Sequence, residues 1–195
     1  MLTWRKREVA QLDDRELVSR FLSDREERPF RELYRRHTPL IYRVSVRMLY
    51  GEPRPNLSAE DATQECWLRA VRGLEGFEWR SAFPTWLVGI ALRVCAEGRR
   101  APAAVHGLDD YIESVSPPAL DAAALERIDI ERLLATLPVG YRTVVILHDI
   151  EGFTHDEISA ALGISQGTAK SQLARGRRAL RDAVAPDLAT GRSAS

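Results

Sequence analysis

The stretch GFTHDEISAALGISQGTAKSQLARGRRALR, residues 152–181, decides the fold of this 195-residue chain. Thr154 and Glu157 stand at the spacing of a capping box, in which a hydroxyl and a carboxylate satisfy each other's backbone donors at a helix start. Ile158, Ala161 and Leu162 give the helix that follows one short apolar face. Gly163 comes next, and a residue without a Cβ takes positive φ at no steric cost. Ile164 returns to the core, Ser165 is a capping residue, and a new helix carries Ala169, Leu173, Leu180 and Val184 on its inner side. A capped helix, a glycine turn and a second capped helix make a helix-turn-helix.

The second of these helices has the chemistry of DNA recognition. From Ile158 to Arg181 the chain holds Lys170, Arg175, Arg177, Arg178 and Arg181 and no acid, a concentrated electrostatic footprint for a phosphate backbone. A recognition helix enters the major groove by its N-terminal end, where free N–H groups and short polar side chains meet phosphates and base edges. Ser165, Gln166, Gly167, Thr168, Lys170, Ser171, Gln172 and Arg175 supply those groups. Glutamine suits adenine, lysine or arginine suits guanine, and serine or threonine suits a phosphate or either base type. Arg177, Arg178 and Arg181 lie further along and fit the DNA backbone better than base edges. A basic solvated helix is the plainer alternative, but it leaves the caps and the glycine turn unexplained.

Outward from this motif, apolar spacing is helical and alternating strand patterns are missing, so the expected fold is all-α. Leu17, Val18, Phe21 and Leu22 mark a first helix with Asp13 or Asp14 as N-cap. Phe30, Leu33, Tyr34, His37, Ile41, Val44 and Met48 form one stripe of a long second helix containing Pro39 and ending at GEPRPN (51–56). Ser58 and Asp61 open a third helix, through about Arg72, whose expected core side is Cys66, Trp67, Ala70, Val71 and Leu74. A fourth runs from about Pro84 to Gly98 on Phe83, Trp86, Leu87, Ile90 and Val94. Leu125–Leu137 and Val139–Asp149 read as two more helices, broken by Pro138.

The third helix has an unusual second face. Asp61, Gln64, Glu65 and Leu68 follow i, i+3, i+4, i+7 spacing and stand together away from the core stripe. That pattern fits a solvated face with a stray leucine, and equally a docking face where an exposed leucine ringed by acceptors meets an arginine-rich partner.

Overall charge is uninformative, with 28 basic and 28 acidic residues, but its distribution is not. Residues 1–100 carry 19 basic and 15 acidic groups, residues 101–134 carry 2 and 7, and residues 135–195 carry 7 and 6. Opposite-sign blocks suggest two modules on an acidic tether. APAAVHGLDDYIESVSPPALD (101–121), with three prolines and no sustained period, reads as a flexible linker between a domain at 1–100 and one at 122–195.

Several function classes drop out. Two cysteines, Cys66 and Cys95, build neither a disulfide framework nor a zinc site and read as small buried hydrophobes in a reducing compartment. The opening MLTWRKREVAQLDD lacks the apolar run of a signal peptide. No uncharged stretch exceeds the 12 residues of Ser81 to Leu92, too short to span a bilayer. A cytoplasmic protein without membrane insertion is expected. His148–Asp149 and His155–Asp156 look like metal ligands, yet a hydrolytic site needs three or more convergent ligands. No phosphate loop or nucleophile elbow is present. The expectation is no enzyme, no metal and no cofactor.

Residues 137–181, LPVGYRTVVILHDIEGFTHDEISAALGISQGTAKSQLARGRRALR, resemble the C-terminal promoter-binding domain of bacterial sigma factors of the extracytoplasmic-function (ECF) class. Residues 30–100, from FRELYRRHTPLIYR through DATQECWLRAVRGLEGF to FPTWLVGIALRV, resemble the N-terminal domain of the same class. The resemblance implies core RNA polymerase and promoter DNA as partners, and an anti-sigma factor as a further one. It implies that the D-x-x-Q-E helix docks on the polymerase clamp, which carries over to Asp61, Gln64 and Glu65. Leu68 is added on helical spacing alone. The recognition helix would read the upstream promoter element, with Lys170, Ser171 and Arg175 near bases and Gly167 and Thr168 near phosphate. The fourth helix and the loop before it would melt the downstream element. Displaced bases there need stacking surfaces and cations, for which Trp79, Arg80, Arg93, Arg99 and Arg100 are the candidates, while Phe83 and Trp86 are expected in the core. Arg93 and Gly89 depart from the class pattern, which often has Asn and a larger residue at these places. Ser159 and Ala169 replace a frequent Ala and Val, and the 51–58 loop has no assigned role.

Two other readings compete. A helix-turn-helix regulator independent of polymerase would bind palindromic DNA by itself and be indifferent to Glu65→Arg. A metal phosphohydrolase would use the two His-Asp pairs and hold metal when purified. The acidic segment 101–134 is expected to compete with DNA for the basic helix.

Overall fold

A computed structural model describes residues 9–24, 26–51, 57–99 and 130–190, with side chains up to 184. The 101–121 linker, Arg100 and most of the acidic segment lie outside the described residues. Those described form helices and turns without a strand, as expected of an all-α chain.

Four helices build the N-terminal domain. In α1 (Asp14–Asp24) the cap is Asp13, whose Oδ1 accepts from the Glu16 N–H at 2.8 Å while Glu16 accepts from the Asp13 N–H at 3.0 Å. The long α2 (Glu27–Leu49) continues unbroken past Pro39. Arg36 ties α2 back to the chain before α1, donating to the Leu12 carbonyl at 2.7 Å and the Ala10 carbonyl at 2.8 Å. In α3 (Ala59–Gly73) both halves of the Ser58/Asp61 capping box are formed. A 3₁₀ turn at Leu74–Gly76 leads through a loop to α4 (Phe83–Gly98), which starts with proline in its first turn.

The core side of α3 matches expectation at Cys66, Trp67, Ala70 and Leu74, all buried. Val71 does not: it is 37% exposed, because it falls at the edge of the stripe, where α2 leaves an open groove. Cys66 and Cys95 are fully buried and free, and burial pushes the Cys66 thiol up to about 12. Phe83 is in the core, whereas Trp86 is half-buried and borders a cleft.

The C-terminal domain begins with α5 (Ile130–Ala135) and α6 (Val139–Val145). The helix expected over 139–149 changes character at its end, where Ile146–Ile150 form a π turn. Then come α7 (His155–Leu162) and α8 (Gln166–Thr190). Thr154 and Glu157 complete their capping box, and Gly163 closes α7 at φ +71° with its N–H on the Ser159 carbonyl at 2.9 Å.

α8 lies very close to α6. A Cβ built on Gly176 would stand 2.7 Å from Val145 Cγ2 and 3.4 Å from the Tyr141 backbone oxygen. The two domains also touch, which the tethered-module reading does not anticipate. Helix α4 packs on α7, and the buried side chains of both domains form one continuous cluster.

Gly176→Leu overfills the α6–α8 contact and is expected to cost about 1–3 kcal/mol. In a domain this small that lowers the melting temperature by roughly 4–8 °C per kcal/mol, read by thermal unfolding.

Candidate functional site

Three surfaces carry the chemistry. The first is the outward stripe of α8. Ser165 caps the helix, its Oγ accepting from the Thr168 N–H at 3.0 Å and lying 2.9 Å from the Thr168 hydroxyl. Ser165, Gln166, Gly167, Lys170, Ser171, Arg175 and Arg178 are exposed and Thr168 is half-buried. Their spacing puts Gly167, Ser171, Arg175 and Arg178 along one line of the helix, with Gln166 and Lys170 beside it. The stripe therefore presents cations and short polar groups over about three turns with no acid among them.

Gln172 is the exception. It is only 6% exposed, beside the core residues Leu173 and Ala169, so its side chain does not reach the stripe. A spacing argument that groups all polar residues of the first turns overlooks that position 172 shares the inward face with 169 and 173.

Two contacts orient the stripe. Arg177 makes a two-pronged pair with Asp149 in the π turn, at 2.5 and 3.0 Å. Arg175 lies 3.4 Å from the Tyr141 hydroxyl. The Arg177 guanidinium holds the Asp149 carboxyl below its ordinary value, burial opposes that, and His148 at 2.9 Å adds to it. His148 stacks on His155 with ring centroids 4.7 Å apart. No group of three or more metal-ligating side chains occurs among the described residues.

The second surface is the outer face of α3. Asp61 and Gln64 are exposed, Leu68 is 54% exposed, and Glu65 is half-buried. Asp61 also serves the capping box, accepting from the Ser58 hydroxyl at 2.8 Å. Glu65 accepts from Arg69 at 2.7 Å, and Arg69 reaches on to Glu97 at 2.7 Å. Beside these acids lies an apolar cleft of about 330 Å³ lined by Phe30, Tyr34, Gln64, Trp67, Leu68 and Val71. Trp67 is locked as its floor by a bond from Nε1 to Thr38 Oγ1 at 3.1 Å and by Phe30 and Tyr34 at 5.6 and 5.1 Å between centroids. Periodicity alone assigns Phe30, Tyr34 and Trp67 to a core. That they also wall a groove beside Leu68 depends on how α2 and α3 diverge.

The third surface is the loop before α4. Its cleft, about 400 Å³, is lined by Gly76, Phe77, Glu78, Arg80, Ser81 and Trp86, with Ala160 of α7 opposite. Phe77 stacks on Trp86 at 4.6 Å and 21°. Trp79 has φ +58°, unusual for a bulky side chain, with its ring 4.7 Å from Phe77 and the Arg15 guanidinium 5.6 Å above it. Arg80 pairs with Glu78 and stays exposed. The four aromatics in FEWRSAFPTW (77–86) were the available signal for Phe77, which spacing passes over.

Of the five cations and aromatics expected to act together here, the four that are described do not converge. Trp79 and Arg80 sit before the start of α4, Arg93 is exposed further along it, and Arg99 is at its far end, about 24 Å away at 1.5 Å per residue. Arg99 is half-buried and donates to the Met48 carbonyl at 3.0 Å, so it closes the end of α2 rather than offering a free cation. Arg100 is outside the described residues.

The stretches that carry these surfaces match known family models. The Sigma-70 region 2 model matches residues 33–103 and the Sigma-70, region 4 model matches 127–180. SigM of Mycobacterium tuberculosis, an ECF RNA polymerase sigma factor, is 35% identical over 153 residues, 77% of this chain and 74% of that protein. The chain belongs to the ECF sigma factors. The ECF sigma-E factor of Escherichia coli K12 is 30% identical over 74% of this chain and 83% of its own length. SigE of Mycolicibacterium smegmatis is 32% identical over 79% of this chain, which spans 61% of that relative's length. Among solved structures, CnrH in complex with the cytosolic domain of CnrY is similar over 89% of this chain, with a TM-score of 0.67 and 25% identity. RpoE of Bartonella quintana, solved with the anti-sigma factor NepR, shares the fold at a TM-score of 0.55 and 22% identity. In this ECF sigma factor the region 2 match takes in the second surface except Phe30 and the third except Ala160, and the region 4 match takes in the first. No helix among the described residues is long and apolar enough to cross a membrane.

Because the folded-state Asp149 carboxyl is depressed, its pair with Arg177 contributes above the ordinary carboxylate value and is lost as pH falls through the lowered one. Asp149→Asn is expected to destabilise the C-terminal domain by on the order of 1 kcal/mol at neutral pH and low salt. The gap to wild type closes as unfolding is measured at progressively acid pH below about 4.

Proposed function

We propose that this protein binds core RNA polymerase and directs it to promoters, acting as an initiation factor in the cytoplasm without chemistry of its own. The observation that carries the reading is the coexistence on one chain of an acceptor-ringed apolar docking face on α3 and a capped, acid-free basic stripe on α8, in the order of sigma regions 2 and 4. Residues 1–100 form the polymerase-binding and downstream-element domain, 101–121 the linker, and 122–195 the upstream-element domain.

Each surface then has a task. Asp61, Gln64 and Glu65 offer acceptors to arginines of the polymerase, while Leu68 and the cleft beside it bury an apolar anchor at the centre of a polar rim. Glu65 exchanges its Arg69 contact for one across the interface, and Arg69 keeps its second partner Glu97. On α8, Lys170, Ser171 and Arg175 face bases, and Ser165, Gln166, Gly167, Thr168 and Arg178 position the backbone. Gln172 supports the helix from inside. At the third surface Trp79, Arg80 and Arg93 handle a displaced strand, with Phe77 and Trp86 as the stacking platform. Two of the similar structures are complexes with the cytosolic domain of CnrY and with the anti-sigma factor NepR. A protein of the anti-sigma kind is accordingly a further partner of this chain.

Core polymerase mixed with the protein and a matched promoter library should yield open complexes, and failure to bind core at any concentration refutes the reading. Glu65→Arg, with its helix content checked by circular dichroism, is expected to abolish core binding in a pull-down, whereas a polymerase-independent regulator would be indifferent to it. Arg175→Ala and Lys170→Ala are each expected to cost about 1–3 kcal/mol on the upstream element and to relax its sequence preference.

A further inference from the structure

The two His-Asp pairs of the sequence come together in the C-terminal domain, and none of the three surfaces uses their histidines. His148 lies in the π turn, and His155 is the first residue of α7. Their rings stack at 4.7 Å between centroids and 29° between planes. His148 Nδ1 is 2.9 Å from Asp149 Oδ1, and Arg177 of α8 grips the same carboxylate with two prongs. Asp149 is thus spent on His148 and Arg177.

His155 is the ring left over. Its Nδ1 is sealed from solvent and has no hydrogen-bond partner, while the residue as a whole is half-buried. Nε2 is therefore the nitrogen through which this ring can meet a group outside the protein. The charges around it are mostly positive. Burial first, and then His148, Lys170 and Arg177, keep the His155 imidazole below its ordinary value, while Asp156 opposes them. Other acids of these turns are engaged elsewhere: Glu151 takes Arg43 and Arg47, and Glu157 closes the cap at Thr154.

The place of this ring is as telling as its chemistry. Gln166, Lys170 and Arg177 are exposed and follow i, i+4, i+11 spacing, so they share one line of α8. That line borders the outward stripe, and two of its three members are the cations that act on His155. With both rings neutral, Lys170 and Arg177 balance Asp149 and Asp156. One added proton leaves one surplus positive charge, which a single DNA phosphate cancels. A phosphate at this point also favours the charged ring, which has an N–H to donate at Nε2.

We propose that the helix-turn-helix takes up a proton when it binds duplex DNA: His155, stacked on His148 and flanked by Lys170, becomes an imidazolium that donates from Nε2 to a backbone phosphate. Proton and duplex then strengthen each other's binding by the same factor. Affinity rises as pH falls through the imidazole range. The contact meets only the backbone and carries no sequence information. It rests on the reading of α8 as the duplex-facing helix.

Fluorescence anisotropy of the full chain with a labelled duplex of arbitrary sequence, at low salt where phosphate contacts dominate, tests this. Wild type is expected to bind about tenfold more tightly at about pH 6 than at about pH 8, the interval in which an imidazole changes charge. His155→Gln is expected to lose that dependence. His148→Gln keeps the outer ring and is expected to retain it. Proton NMR of the imidazole rings reads the same event in the unmodified chain, as a rise of about one pH unit in the His155 titration midpoint when duplex is added. Wild-type affinity that is flat with pH, a dependence that survives His155→Gln, or a His155 midpoint that duplex leaves in place would each overturn the proton uptake. Lys170→Ala separates that failure from the failure of the α8 reading. If it weakens duplex binding while the His155 results are negative, only the phosphate contact is wrong. If it leaves duplex affinity unchanged at both pH values, α8 does not face the duplex and both readings fall.

Discussion

Two helices can cross at backbone distance only where one of them carries no side chain, and two such crossings organise this molecule. At Gly176 the recognition helix settles against Tyr141 and Val145 of α6, and at Gly89 the N-terminal domain meets the first helix of the helix-turn-helix. The first crossing sets which face of α8 points outward. Ala169, Leu173 and Gln172 turn in, and a line of cations and small polar groups turns out. The second determines where the whole C-terminal domain sits on its neighbour. Neither crossing adds much dispersion energy alone, but each admits the close packing of flanking side chains on which interior stability depends.

Around these contacts the polar groups are arranged so that few compete with function. The capping boxes at Thr154 and Ser58 satisfy backbone donors locally, which leaves the first turns of α7 and α3 rigid without borrowing from the exposed stripe. Arg177 is spent on Asp149 and Arg99 on the end of α2. Lys170, Ser171, Arg175 and Arg178 stay exposed, with Arg175 reaching the Tyr141 hydroxyl and Arg178 lying 3.8 Å from Asp182. This division between arginines that hold the fold and arginines that face outward follows from geometry. Nothing in residue type separates them.

The aromatic residues divide in a similar way. Phe83 is sealed in the core, while Phe77, Trp79 and Trp86 keep an edge on the cleft before α4, and Tyr34 and Trp67 keep one on the groove beside Leu68. Large rings of this kind bury apolar area and still offer a stacking face. The Sigma-70 region 2 match includes both places.

Much was legible in the linear order of residues. Helical period, both capping boxes, the left-handed glycine at 163 and the acid-free run before Arg181 are local properties, set by interactions within four residues along the chain, and they identify the fold class and the recognition helix directly. The outward stripe was legible for the same reason, except at Gln172, where a polar side chain turns inward on a face set by packing. Val71, Arg99 and Phe77 were not legible, because exposure at a groove edge, commitment to a distant carbonyl and membership of a cleft all depend on partners far away in sequence. Nor could periodicity reveal that the two domains meet. Gly89 reads as a weak point of a helix, and only the three-dimensional arrangement, which brings the Ala161 carbonyl within reach of the missing side chain, explains how such a residue fits there.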